Sequence, residues 1–340
     1  MGFTELNSVE HYIIHQMTGV NLNANQVSEP QKTFGVRWQF QSPEQLGRGV
    51  NEVLVESELV KALVRLNPEI EANPNLADEV IHKLRAILIS VNQVGLVKAN
   101  EEFFAWMTGE KTMPFGENNR HVPVNLIDFD DLTRNGYVVT NQFRIHHRET
   151  KIPDVVLMIN GIPVVVGEAK TPIRPSVTWL DGAHEVHSIY ENAVPQLFVP
   201  NILSFATEGK ELFYGAIRCP LEFWAPWRVE DDQLSRAVGL SGVGAELTDL
   251  LSPERLLDIM RNFSLFTTNK KKQRIKVIPR FQQYEGANKI VQRVIEGKIK
   301  KGLIWHFQGS GKSLLMVFAA QKLRRAAQLK SPTVIVLVDR

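Results

Sequence analysis

The sequence predicts an α/β protein in two units, on three observations. An apolar, β-branched stretch turns back on itself at Asn160-Gly161 and ends in Glu168-Ala169-Lys170. A glycine loop, Gly309-Ser310-Gly311-Lys312-Ser313, stands between an apolar stretch and a helical one. The charge balance also changes sign near residue 260: residues 261–340 carry 18 Lys and Arg against 3 Asp and Glu, whereas the preceding 260 carry 21 against 34. The predicted units are 1–260, with a helical N-terminal part, and 261–340.

The elements follow from periodicity. Residues 4–17 read as a helix, with Leu6, Val9, Ile13, Ile14 and Met17 near helical spacing. Residues 51–66 and 76–91 carry the same pattern. Residues 137–145 and 152–170 read as strands, the second folded at Asn160-Gly161. The span 185–240 is mixed and aromatic-rich, and Trp179, Trp224 and Trp227 read as core or interface residues. Lys270-Lys271-Lys272-Gln273-Arg274 reads as a basic linker. Beyond it, strands at Leu303-Ile304-Trp305 and 334–338 flank a helix over 312–328, forming a βαβ unit.

Composition narrows the class. A hydrophobic content of 44% is ordinary for a globular chain. The lone Cys219 excludes an internal disulfide framework and fits a reducing compartment. No apolar run approaches the ~18 residues of a membrane span, and the N-terminus lacks the basic start of a secretory signal. A cytoplasmic protein without a membrane partner is expected. The basic segment suits phosphates, and affinity arising there falls with salt.

Phosphodiester cleavage needs a divalent cation, and carboxylates are the usual anchors for Mg²⁺. Asp154, after Pro153, and Glu168 are the candidate ligands. Lys170 is the candidate group to orient the nucleophile and stabilise developing charge. Period-two geometry puts Glu168 and Lys170 on one strand face with Ala169 turned away. Glu-x-Lys recurs at Glu208-Gly209-Lys210 and Glu296-Gly297-Lys298, but only the copy at 168 ends an apolar strand with Pro-Asp across a hairpin. The hairpin imposes a register test. A plain two-residue loop sets Asp154 opposite Gly167 and turns Glu168 to the other side. A three-residue loop or one bulge sets Asp154 opposite Glu168, and Gly161 and Pro163 favour such an irregularity.

In the glycine loop, backbone N–H groups of Gly309, Ser310 and Gly311 and a helix N-terminus form an anion site. Lys312 reaches the outer phosphates of a nucleotide, and the Ser313 hydroxyl ligates Mg²⁺. The G-x-x-x-x-G-K-S pattern departs at its first position, which is His306.

The chain resembles the N-terminal portion of the R (restriction and motor) subunit of type I restriction endonucleases. The resemblance rests on Val124-Asn125-Leu126-Ile127-Asp128-Phe129, Thr140-Asn141-Gln142-Phe143, Pro153-Asp154 through Glu168-Ala169-Lys170, Pro195-Gln196-Leu197-Phe198, Ala225-Pro226-Trp227-Arg228 and Trp305-His306 through Lys312-Ser313. It implies a restriction-endonuclease-like mixed sheet with flanking helices, the PD-(D/E)xK nuclease domain, followed by an incomplete RecA-like P-loop domain of a superfamily 2 motor.

The resemblance assigns metal binding to Asp154 and Glu168 and water positioning to Lys170, with Glu10 of the first helix as an auxiliary acid beside the competing Glu5. It points to Gln283 as the adenine-reading glutamine, with Gln282 one position away. A Gln-x-x-x-Tyr element of the family aligns with Val186 to Tyr190, keeping the tyrosine and losing the glutamine. The cofactors implied are Mg²⁺ and ATP. The partners implied are double-stranded DNA and the methyltransferase (modification) and specificity subunits of a restriction complex. With the later motor motifs absent, nucleotide binding without translocase-rate hydrolysis is expected of this stretch, read as a natural truncation or a cut piece. Two alternatives remain: a helicase–nuclease of DNA processing outside restriction, and a non-catalytic docking module.

Overall fold

The Asn160-Gly161 turn organises the central sheet. Both residues take positive φ, 52° and 77°, the pair that a tight two-residue hairpin turn requires. Gly161 is also required by packing, because a Cβ there would lie 2.3 Å from the Val55 carbonyl oxygen. The turn joins Val155–Ile159 (β3) to Ile162–Ala169 (β4), two fully buried strands. The computed structural model describes residues 9–22, 26–27, 36–171, 176–229 and 242–337.

Around this hairpin the sheet grows in chain order. Gln39–Phe40 (β1) and Tyr137–Asn141 (β2) precede it, and Leu203–Thr207 (β5), Leu212–Gly215 (β6) and Ala225–Pro226 (β7) follow. The seven strands lie in the order β7-β6-β5-β4-β3-β2-β1. The β1/β2 and β4/β5 pairs are parallel and the rest antiparallel, so this is a mixed sheet, as expected. Helices flank it: His11–Thr18 (α1), Glu56–Leu66 (α2), Leu76–Val94 (α3), Leu96–Met107 (α4) and Trp179–His184 (α5). Val243–Leu250 (α6) and Pro253–Asn262 (α7) follow the sheet in the chain. Residues 4–8 of the first predicted helix lie outside the described residues. Trp227 and Trp224 are buried and Trp179 stacks on Phe213 at 3.7 Å between ring centroids, so all three serve packing.

Two expectations for the C-terminal part are corrected. The run 270–274 is not a linker but the turn and second strand of a hairpin, Leu265–Thr268 (β8) with Arg274–Val277 (β9). It packs on α4 through an edge-to-face contact of Phe104 with Phe266 at 5.5 Å and an Arg274–Glu101 ion pair. Nor do residues 303–305 and 334–337 pair as strands; Val338 lies outside the described residues. A strand needs a ladder partner, and Leu303, Trp305, Ile335 and Leu337 instead stand exposed. The helix between these two stretches does form, at Lys312–Arg325 (α9), and an unpredicted helix, Phe281–Glu296 (α8), precedes residue 303.

The apolar core does not stop at residue 260. Phe263, just past α7, lies 4.6 Å from Tyr284 of α8 and 5.4 Å from Phe318 of α9 between ring centroids, in one cluster with the sheet. Polar ties run beside it: Lys322 of α9 donates to both Asp258 oxygens at 2.7 and 2.6 Å, and Tyr284 OH donates to Asp258 Oδ2 at 2.7 Å.

Candidate active site

β3 and β4 deliver the two carboxylates. Their ladder pairs Ile162 with Ile159 and Pro163 with Met158, then shifts by one residue, so that Val165 meets Leu157 and Gly167 meets Val155. One step further, Glu168 comes opposite Asp154. The bulge at Val164 therefore selects the register that brings the two together. Ala169 is buried on the opposite face, and its N–H donates to Asp154 Oδ2 at 2.9 Å. Glu168 lies under α5, where a Cβ on Gly182 would sit 3.4 Å from Glu168 Cγ.

Lys170 lies on the Glu168 side. Its Nζ donates to Glu168 Oε1 at 2.8 Å and to Glu185 Oε2 at 2.5 Å. Tyr190 OH donates to Glu185 Oε1 at 2.9 Å and stands 3.5 Å from Glu168 Oε1. Glu185–Tyr190 is a π-helical turn continuing α5. In such a turn residues five apart are neighbours, which puts Glu185 against Tyr190.

The electrostatics follow from burial. Glu168 is 2% exposed. Burial first, and the charge of Asp154 second, push its carboxyl well above the usual range against the pull of Lys170. Burial opposes the charge on Lys170, but Glu168 and Glu185 together outweigh it and strengthen its hold on the proton. For Glu185, burial acts upward, but Lys170 and the Tyr190 hydroxyl prevail and hold it below the usual range.

Glu168 Oε2 is buried without a hydrogen-bond partner. An orphaned carboxylate oxygen beside a second carboxylate fits a divalent cation. Among the described residues no group of three or more His, Cys, Asp or Glu side chains is arranged to hold a metal. A cation here would rest on Asp154 and Glu168 and complete its shell with water and phosphate oxygens, as Mg²⁺ commonly does.

Glu10, at the start of α1, is 1% exposed and joins the same region. Asn141 Nδ2 donates to its Oε1 at 2.7 Å, and Gln142 Nε2 to its Oε2 at 2.9 Å. Gln142 Nε2 also lies 3.2 Å from Asp154 Oδ1. Burial raises the Glu10 carboxyl to about 7; the Asn141 hydrogen bond opposes this, the Asp154 charge adds to it, and Gln142 opposes. Glu5 lies outside the described residues. Of the other Glu-x-Lys copies, Glu208 sits in the β5–β6 turn, where its Oε1 accepts from Glu211 N at 3.2 Å, and Glu296 ends α8.

Sequence reasoning missed Glu185, Asn141 and Gln142. The available signals were the kept Tyr190, two adjacent amides at a strand end, and the place of Asn141 and Gln142 in a stretch that carries the resemblance.

At the glycine loop, Gly309 and Gly311 take φ of 83° and 81°, and α9 starts at Lys312. Lys312 Nζ donates to the His306 and Phe307 carbonyls at 3.0 and 3.2 Å. Ser313 is exposed in the first turn of α9, and Ser310 Oγ is buried without a partner. The two glutamines divide. Gln283 is buried, accepts from Arg280 N at 2.9 Å and donates to the Ser310 and Gly311 carbonyls at 3.0 and 3.3 Å, so it braces the loop. Gln282 lines a cavity of about 780 Å³ with Phe281, Trp305 and His306.

Comparison with known proteins agrees with this layout. Residues 29–222 match the family described as type I restriction enzyme R protein N terminus, and residues 282–340 match the SWI2/SNF2 ATPase family, which fits an incomplete RecA-like unit. Similar proteins include the type I restriction enzyme HindI endonuclease subunit of Haemophilus influenzae, 29% identical over 94% of this chain and 32% of its own length. Another is the putative type I restriction enzyme MjaVIIIP endonuclease subunit of Methanocaldococcus jannaschii, 30% identical over 64% of this chain and 21% of its own length. The chain thus spans a third or less of these curated relatives.

Proposed function

The chain belongs to the type I restriction enzyme R protein family, and from that membership we propose that it is the Mg²⁺-dependent nuclease portion of a type I restriction enzyme, cutting double-stranded DNA. The observation that carries this reading is the bulged register that sets Glu168, with its orphaned Oε2, opposite Asp154 and beside Lys170. Mg²⁺ bound by Asp154 and Glu168 would neutralise phosphate oxygens and lower the pKa of a water. Lys170, its proton held by two carboxylates, stays cationic through the neutral range. Its role is therefore to position the attacking water and stabilise charge on the phosphate, not to act as a base. Glu185 and Tyr190 orient Lys170, and Glu10 serves as an auxiliary acid.

The division into nuclease (1–260) and nucleotide-handling (261–340) parts is one of function, since the packing is continuous across it. Gly309, Ser310, Gly311 and Lys312 would hold the phosphates of ATP, and Ser313 the Mg²⁺ that travels with them. In the full complex, with modification and specificity subunits in the cytoplasm, cleavage would follow ATP-driven translocation. No described helix is long and apolar enough to cross a membrane.

The test is cleavage of plasmid DNA by the purified chain, alone and combined with modification and specificity subunits and ATP. Mg²⁺-dependent nicking or linearisation that disappears in Glu168→Ala and Lys170→Ala is expected. Absence of cleavage in both settings, or cleavage indifferent to both substitutions, would sink the reading.

A further inference from the structure

We infer that Gln142 is a positioning residue that fixes Asp154 relative to Glu10, through a side-chain amide shared between the two carboxylates; the inference rests on the nuclease reading and deepens it. Gln142 Nε2 lies 2.9 Å from Glu10 Oε2 and 3.2 Å from Asp154 Oδ1. An amide nitrogen carries two protons, one for each acceptor, and no net charge. It holds two like charges in place without bringing a competing cation to the Asp154 side of the site. A carboxylate at 142 could not donate, and a lysine would set a positive charge where Asp154 is to meet a metal ion.

The backbone is arranged for this contact. Gln142 has φ 47°, a left-handed conformation that a non-glycine side chain avoids. Its N–H donates to the Asp154 carbonyl at 3.0 Å, and the next N–H, of Phe143, donates to the Pro153 carbonyl at 3.0 Å. The Phe143 side chain is fully buried. The strand end is thus pinned on both sides of the strained residue, and the strain directs the amide into the site. Backbone strain held by its surroundings is commonly found where a side chain must be aimed. Asn141, one residue earlier, supplies the second donor to Glu10 at 2.7 Å. Asp154 therefore has Oδ1 against Gln142 and Oδ2 against the Ala169 N–H at 2.9 Å, so its carboxylate plane is held from two strands.

The experiment separates the amide from the backbone. Gln142→Gly removes the amide while relieving the left-handed strain, so its thermal midpoint should stay near wild type. Mn²⁺ affinity without DNA, read by electron paramagnetic resonance, should fall about 10-fold or more, the usual scale for loss of a group that orients a metal ligand. The Mg²⁺ concentration for half-maximal cleavage should rise by the same factor, with a smaller change in the rate at saturating Mg²⁺. Gln142→Asn, at home in the left-handed region but too short to reach both carboxylates, should fall between the two, and it carries the test if the glycine variant does not fold. Wild-type Mn²⁺ affinity and Mg²⁺ dependence in the folded variant would overturn the inference alone. A wild-type chain that neither binds Mn²⁺ nor cleaves in the assembled complex would overturn the nuclease reading and this inference with it.

Discussion

The backbone N–H of Ala169 donates to Asp154 Oδ2 at 2.9 Å. The residue that separates Glu168 from Lys170 thus turns its methyl away and still serves the site through its main chain. The contact closes the open end of the hairpin, beyond the register shift at Val164. A crystal grown with Mn²⁺ should show an ion between Asp154 and Glu168, with Lys170 Nζ turned from Glu168 toward the ion's water shell. An ion seated elsewhere would contradict the assignment.

Lys170 and Glu168 should differ in what their loss does to stability. Lys170→Met leaves buried Glu168 and half-buried Glu185 beside each other without the cation between them. Removing one partner of a buried ion pair costs up to about 3–5 kcal/mol, and the loss should shrink at pH 5, where carboxylates take up protons. Glu168→Gln removes a charge that burial already disfavours and leaves Lys170 its bond to Glu185. That variant should unfold within about 1 kcal/mol of wild type while losing cleavage. Denaturant unfolding at pH 5 and 8 checks both; equal destabilisation would refute the contrast.

Glu10 should give the chain a pH-dependent stability. Its carboxyl titrates at about 7 when folded against a usual 4.5, so the folded state holds the proton more tightly. Stability is fully present below about pH 4.5 and declines as pH rises to about 7, after which it is flat. The shift corresponds to at most about 3 kcal/mol. Glu10→Gln should therefore flatten the fall in thermal midpoint between pH 5 and 8. An unchanged slope would show that Glu10 is not buried in this way.

Gly167 sits directly across from Phe205 on the neighbouring strand, and a Cβ there would fall 2.1 Å from the ring. Gly167→Ala should cost about 2–3 kcal/mol by overpacking. Adding Phe205→Leu should recover at least half of it. Full tolerance of the single substitution would mean that the ring moves freely.

In the glycine loop, Gly311→Ala should weaken nucleotide binding more than tenfold. The residue has φ 81°, and a Cβ would lie 2.1 Å from Gln283 Nε2, the group that braces the loop. Titration with a fluorescent ATP analogue beside Lys312→Ala provides the comparison, and wild-type affinity in Gly311→Ala would show that the brace is dispensable.

The site was legible where local chemistry fixes geometry. Asn160-Gly161 announced its turn, Pro163 made an irregularity in β4 reasonable, and period two put Glu168 and Lys170 on one face. Glu185 was not legible, because helical spacing of four directs attention to Val186 as the partner of Tyr190, and only a π turn moves it to Glu185. Gln142 was hidden for a different reason: its role depends on a left-handed backbone set by distant contacts. The hairpin at β8–β9 escaped because Lys276 occupies a core position. Its stem is buried and its Nζ lies 3.8 Å from the Phe104 ring centroid and donates to the Asn201 carbonyl at 2.6 Å. A charged residue at an inward position breaks the alternation by which a strand is recognised. The apolar stretches at 303–305 and 334–337 read as strands because periodicity reports a face to be covered, and ladder formation depends on neighbours that periodicity does not see.

The aromatic cluster of Phe263, Tyr284 and Phe318 bears on how the molecule can be divided. A nuclease fragment ending at residue 260 would lack all three rings, and the side of α7 turned to them would meet water. Such a piece should be poorly soluble and should melt well below the parent. A cut after α9 would keep those surfaces covered, and calorimetry on it should record a single transition, because α7, α8 and α9 unfold with the sheet as one cooperative body.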